Sequence, residues 1–210
     1  MANNWLESKL YGIVDLGYAR EDNLIEVTRQ LLAGGAGLIQ LRAKGRDKEE
    51  ILAWSQQLLP LCRKAGVPFI INDYIDLAKK VDADGVHLGQ DDGPLSAARE
   101  QLPKGKIVGR STHSPEQAQA ALNEGADYIG FGPLFPTPTK KGRPGIGLEN
   151  IPGVQEQVGS HIPVFCIGGI KRENLQTVKA AGAQRVVIVS DLLLADQIEK
   201  ATNEVVRQLS

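Results

Sequence analysis

Cysteine is scarce: only Cys62 and Cys166 occur in 210 residues, and they form no CxxC pair, which argues against both a disulfide framework and a structural zinc site. Both are expected to be ordinary buried thiols. There is no surplus of charge, since 24 Lys and Arg against 25 Asp and Glu leave a formal net charge of -1. No global basic field points to nucleic acid and no Lys/Arg run suggests a membrane tail, so any anion binding has to be local. No apolar stretch reaches the roughly 18 residues that span a bilayer. The opening Met1-Ala2-Asn3-Asn4-Trp5 lacks the charged and apolar regions of a signal peptide, and a cytoplasmic location is expected. Of the three histidines, none is paired in the sequence with a nucleophile; His87, His113 and His161 read as local structural residues.

What is present is an alternation. Hydrophobic residues make up 42% of the chain, enough for one buried core, and 1–210 is expected to be a single domain. Short apolar or alternating runs at 11–15, 37–41, 68–71, 85–88, 107–110, 128–131, 164–167 and 186–189 are eight strand candidates. Segments of helical spacing lie between them at 24–32, 48–64, 116–124, 174–181 and 192–209, with two shorter ones at 77–81 and 95–101. Strand then helix, repeated, is the signature of a parallel α/β protein. A weak internal repeat agrees: Gly35-Ala36-Gly37, Gly125-Ala126-Asp127 and Gly182-Ala183-Gln184 each lead from a helix end into a strand, where glycine supplies the left-handed residue that stops the helix. Eight such units from about 11 to 209 predict a closed single-domain (β/α)8 TIM barrel rather than an open doubly wound sheet. The one long irregular stretch, 132–147, is rich in Gly, Pro, Thr and Lys; a loop this long is usually functional or disordered.

Barrels of this kind carry their functional groups at the C-terminal strand ends. After strand two, Gln40, Arg42 and Lys44 alternate onto one face, and Arg and Lys together suit a diphosphate, although a solvated basic rim has the same composition. Strand three ends in Asn72-Asp73 and strand four in Gly89-Gln90-Asp91-Asp92. Asp73 and Asp92 suit magnesium, which binds one or two carboxylates together with substrate phosphates; helix capping is the alternative. Strand five leads into Ser111-Thr112-His113-Ser114-Pro115, where Ser114-Pro115 reads as a helix start and Ser111 offers a neutral hydrogen bond. The long loop contains Thr137, Thr139 and Lys140, donors to anionic oxygen on a proline-stiffened segment. Gly168-Gly169 and Val189-Ser190 fall after strands seven and eight, the recurrent phosphate site of such barrels. No covalent nucleophile is identified.

The ordered set Gln40-Leu41-Arg42-Ala43-Lys44, Asn72-Asp73, Gly85-Val86-His87-Leu88-Gly89-Gln90-Asp91-Asp92, Thr137-Pro138-Thr139-Lys140, Ile167-Gly168-Gly169-Ile170 and Val189-Ser190 resembles the thiamine-phosphate synthase family. The resemblance implies a magnesium-dependent transferase that joins 4-amino-2-methyl-5-hydroxymethylpyrimidine diphosphate to hydroxyethylthiazole phosphate, releasing pyrophosphate by a dissociative mechanism. It implies that Gln40, Arg42, Lys44, Asn72, Ser111 and Lys140 contact the pyrimidine diphosphate, that Asp73 and Asp92 hold Mg2+, and that Thr137, Thr139, Gly169, Val189 and Ser190 receive the thiazole phosphate. The implied partners are these two phosphorylated small molecules, with no nucleic acid and no membrane, and a homodimer is left open. The chain departs from the pattern at Arg110, where an apolar residue is expected, and in the continuation of the loop through Gly142-Arg143-Pro144-Gly145. The related thiazole tautomerase, and a regulatory protein that binds thiazole phosphate without turnover, are the competing readings.

Overall fold

Alternation of side chains explains how the chain closes on itself. The computed structural model describes residues 5–137 and 144–210. Strand β1 (Leu10–Asp15) is buried at every position, because it faces the barrel interior on one side and a layer of helices on the other. It is followed by α1 (Leu24–Ala33), β2 (Leu38–Arg42), α2 (Lys48–Ala65), β3 (Phe69–Asn72), α3 (Ile75–Lys80), β4 (Gly85–Leu88) and α4 (Leu95–Gln101). The second half runs β5 (Ile107–Thr112), α5 (Pro115–Asn123), β6 (Tyr128–Phe131), α6 (Ile151–Gln157), β7 (Val164–Cys166), α7 (Leu175–Ala180), β8 (Arg185–Val187), α8 (Ser190–Leu193) and α9 (Ile198–Leu209). The strands pair in sequence order, all in parallel, and β8 returns to β1 to close the barrel.

Two apolar clusters follow from the period of two. One lies inside the barrel and contains Tyr11, Ile13, Leu38, Ile70, Ile107, Tyr128, Phe165 and Val187, with Trp5 against it. The other runs between the strands and the helices, from Leu10 and Val14 to Val205 and Leu209. Inside, Tyr11, Tyr128 and Phe165 meet edge to face at centroid separations of 5.4 to 5.8 Å, a geometry worth about 1 kcal/mol per pair beyond burial. Gly109 makes room for this packing: a Cβ there would lie 2.1 Å from Cζ of Tyr128. Both cysteines are buried, and burial pushes each thiol up to about 12, as expected for inert side chains.

The repeat glycines Gly35, Gly125 and Gly182 take φ of 99°, 83° and 102°, the conformation that the helix-stop reading requires. Ser114 caps α5 by accepting from the Gln117 amide, with Pro115 in the first turn. Three elements differ from expectation. Helix α6 opens Ile151-Pro152-Gly153, a composition that reads as loop, yet proline is compatible with a first turn because its missing N–H would have no partner there. The expected helix 192–209 is two, α8 and α9. Strand β8 stops at Val187 because Val189 turns into the helical region, with φ −103° and ψ −80°, as the residue before α8. Among the described residues no helix is long and apolar enough to cross a membrane.

Candidate active site

The C-terminal strand ends surround a solvent-open cavity. Of the residues singled out in the sequence, Gln40, Arg42, Lys44, Asn72, Asp73, Ser111, Thr137, Gly169, Val189 and Ser190 all line it. Thr139 and Lys140 lie outside the described residues, and Asp92 stands one step back from the wall.

On the side of β1 to β4 the cavity is built from charges that neutralise one another. Arg42 donates through Nη1 to Oδ2 of Asp15 at 2.8 Å, and Asp15 is almost fully buried. Its other oxygen accepts from the Gly17 amide at 2.9 Å, so the carboxylate fixes both the guanidinium and the turn after β1. Asp15 is a site residue that the sequence reading missed: it is the last residue of a strand, and only the register Asp15 opposite Arg42 reveals its partner. Lys44 reaches Oδ2 of Asp73 at 2.8 Å.

Asp73 itself is left-handed, with φ of 67°, a conformation rare outside glycine but tolerated by Asp and typical of functional turns. Burial pushes its carboxyl above the ordinary range, Lys44 pulls it back, and the hydrogen-bonded neighbour Asp92 pushes it up further. Neither aspartate caps the helix that follows, for Tyr74 and Pro94 hold those positions. Instead Asp92 accepts from the Gly89 amide through Oδ2 at 2.6 Å. Among the described residues no group of three or more His, Cys, Asp or Glu converges as a ligand cage. Two adjoining carboxylates could supply two oxygen donors to a hard cation that completes its shell from water and phosphate.

Arg110, the departure from the expected pattern, explains how Asp92 is held. It points outward from β5 and is buried at 8% exposure. Its guanidinium donates to the carbonyl of Gly93 at 2.7 Å and to that of Gln90 at 3.5 Å. Gln90 in turn donates through Nε2 to the Ser111 carbonyl at 2.5 Å. The loop bearing Asp92 is thereby pinned to β5 from both sides.

On the side of β6 to β8 the wall is backbone. The Leu134 and Phe135 amides donate to the carbonyls of Ile167 and Gly168 at 2.8 and 3.0 Å, which brings the loops after β6 and β7 together. The approach leaves no room for side chains: a Cβ at Gly168 would lie 2.3 Å from Cα of Pro133, and one at Gly169 would lie 2.6 Å from Cβ of Phe135. Asp191 of α8 accepts from both the Arg172 amide and its Nε at 3.0 and 2.9 Å, tying the loop after β7 to the turn that carries Val189 and Ser190.

Two histidines line the cavity. His113 bonds through Nδ1 to the Gly132 carbonyl, while its amide donates to Gln117 Oε1 at 2.8 Å, which fits the local role expected of it. His87 is hydrogen-bonded through both ring nitrogens, to the Tyr128 hydroxyl at 3.0 Å and to Ser111 Oγ at 2.9 Å.

A closed parallel barrel with paired charges on one side of its mouth and close-packed glycine backbone on the other defines a (β/α)8 protein with a polar site at its C-terminal face. The chain belongs to the thiamine monophosphate synthase family, whose sequence model matches residues 10–192. It is 46% identical over 193 residues to the thiamine-phosphate synthase of Synechocystis, a match covering 90% of this chain and 55% of that protein. The thiamine-phosphate synthase of Bacillus cereus strain AH820 is 42% identical over 190 residues, covering 89% and 86%. The chain thus spans about half the length of the Synechocystis relative and most of the Bacillus one. The structure of thiamine phosphate pyrophosphorylase from Pyrococcus furiosus superposes with a TM-score of 0.86 at 37% identity, covering 99% of each chain. A 3-hexulose-6-phosphate synthase at 18% identity and TM-score 0.68 shares the fold.

Proposed function

We propose that the protein is a thiamine-phosphate synthase, joining 4-amino-2-methyl-5-hydroxymethylpyrimidine diphosphate to hydroxyethylthiazole phosphate with release of pyrophosphate, in the cytoplasm. The observation that carries this reading is the pairing of two different anion-binding walls in one cavity, the Lys44–Asp73–Asp92 cluster facing the Gly168–Gly169 backbone. A substrate bearing a diphosphate and one bearing a monophosphate need such a division. Asp73 and Asp92 would hold Mg2+, which supplies positive charge to a departing diphosphate.

Lys44 is poised to exchange Asp73 for a diphosphate oxygen, since its side chain is more than half exposed while that of its partner is not. Arg42, fixed through one nitrogen by Asp15, has its remaining donors to offer to phosphate. Asn72 and Gln40 add neutral donors, and Lys140, outside the described residues, is assigned to the same substrate. Thr137, Thr139, Gly169, Val189 and Ser190 are assigned to the thiazole phosphate. In the reaction the methylene carbon–oxygen bond breaks with its electron pair leaving on pyrophosphate, and the thiazole nitrogen lone pair forms the new carbon–nitrogen bond. No protein nucleophile is required; the chain contributes orientation, charge stabilisation of the leaving group and exclusion of water.

The test is to mix purified protein with both substrates, with and without magnesium, and to follow thiamine phosphate and pyrophosphate together. Equal amounts of both products, formed only with magnesium and lost in Asp92→Ala, are expected. Tight binding of the thiazole phosphate with no pyrophosphate released would sink the assignment in favour of a tautomerase or a regulatory binder.

A further inference from the structure

Between the two walls, the barrel interior holds a connected run of polar side chains whose ends, Gln40 and Ser111, belong to the proposed pyrimidine site and whose middle members have no part in it so far. Gln40 Nε2 donates to the Tyr11 hydroxyl. The Tyr11 and Tyr128 hydroxyls are 2.8 Å apart, Tyr128 lies 3.0 Å from His87 Nδ1, and His87 Nε2 lies 2.9 Å from Ser111 Oγ. These side chains come from β2, β1, β6, β4 and β5. Gly130 lies beside the imidazole, where a Cβ would rest in ordinary van der Waals contact with His87 Cε1 at 3.6 Å.

Counting protons gives this run a direction. Burial pushes both phenols well above their ordinary value, so each keeps one proton, and a buried hydroxyl donates it to a partner. The Tyr11 oxygen accepts from an amide N–H that has nothing to accept with, so its own proton goes to Tyr128. Tyr128 then donates to His87 Nδ1. A neutral imidazole that accepts at Nδ1 carries its proton on Nε2, and that proton goes to Ser111 Oγ. Ser111 Oγ has its remaining proton to give, and among the described residues His87 is the partner recorded for it, on the wall of the cavity.

We propose that the relay Gln40–Tyr11–Tyr128–His87 fixes Ser111 as a one-way hydrogen-bond donor into the cavity, presented to an unprotonated ring nitrogen of the bound pyrimidine, with His87 a positioning residue whose tautomer is set by Tyr128. This rests on the reading of Ser111 as a pyrimidine contact. Its consequence is selectivity: a heterocycle with C–H or N–H in place of the acceptor nitrogen leaves the Ser111 proton unpaired, and discrimination against such a substrate is large when the site is buried.

The experiment has two arms. In the ligand-free full chain, nitrogen-15 NMR of the histidine side chains should show His87 neutral and protonated on Nε2, and Tyr128→Phe should convert it to a tautomer mixture. A resting His87 that is cationic or protonated on Nδ1 overturns the proposal. In the second arm, kcat/KM for the pyrimidine diphosphate is measured in Tyr128→Phe, Ser111→Ala and the double variant. Tyr128→Phe should lose about tenfold, in line with one hydrogen bond, with KM for the thiazole phosphate unchanged, and should lose almost nothing further when Ser111 is already Ala. Multiplying losses would mean that Tyr128 acts by packing alone, which also overturns it. Because the NMR arm involves no substrate, it decides the relay even if the proposed reaction itself is not catalysed.

Discussion

The two walls of the cavity, each proposed to receive an anion, are built by opposite means. On the β1 to β4 side, charged side chains are already paired with one another: Arg42 with Asp15 and Lys44 with Asp73. On the β6 to β8 side the work is left to backbone packed so closely that Gly168 and Gly169, at φ of 98° and 66°, admit no Cβ. Charges brought together for a ligand can be held at some expense to the ligand-free fold, whereas a close backbone approach is itself part of the packing. Neutralising Asp73 on the first wall and filling Gly168 on the second should therefore change stability with opposite signs.

The largest effect is expected on the glycine wall. Gly168→Ala places a methyl 2.3 Å from the Pro133 backbone in a left-handed conformation, and strain plus displacement should cost about 3 kcal/mol. In a chain of this size that is a fall in Tm of roughly 6–12 °C, read by calorimetry without any ligand. An unchanged Tm would show that the loops after β6 and β7 are not packed as described. Arg110→Leu tests the support behind the other wall, the loop that carries Asp92, and there too a loss is expected. The Gln90 and Gly93 carbonyls lose their buried donor but can turn to water, so about 1 kcal/mol of stability is expected to go. Hydrogen exchange at residues 89–93 should speed up, and a higher magnesium concentration should be needed for turnover, with Arg110→Lys restoring part of both. Protection unchanged at 89–93 would remove Arg110 from the support of Asp92.

The smallest effect has the opposite sign. Because the Asp73 carboxyl is raised above its unfolded value, its contribution to stability is full below the unfolded value and is lost as pH rises through the folded one. Asp73→Asn removes that loss while keeping a residue suited to positive φ. The Tm of the variant should exceed that of the parent at neutral pH and converge with it in acid, while product formation disappears. A neutral-pH Tm below the parent's would mean that the Lys44 ion pair outweighs the desolvation of Asp73.

Much of the first wall was legible in the chain because strand alternation is local. Gln40, Arg42 and Lys44 at spacing two share a face wherever the strand lies, and Asn72-Asp73 marks a strand end by its position after the apolar run 68–71. The counting of strands against helices was equally local, so the barrel could be expected, while α6 was hidden by the Pro and Gly of its first turn. Other features left no local signal. Asp15 looked like the end of a strand until the register placed it opposite Arg42. Arg110 looked out of place until its carbonyl partners, 17 and 20 residues away, appeared.

The sequence by itself determined the eight strands, most of the helices between them, the residues singled out for the two walls and the family, because each is written in spacings of two to four residues or in motifs read along one segment. Only the tertiary structure decided which side chains meet across the closed barrel. Tyr11 and Tyr128 are 117 residues apart in the chain and 2.8 Å apart at their hydroxyls. That contact exists because closure of eight parallel strands turns alternate side chains toward one axis, where burial leaves each polar group only its neighbours to bond with.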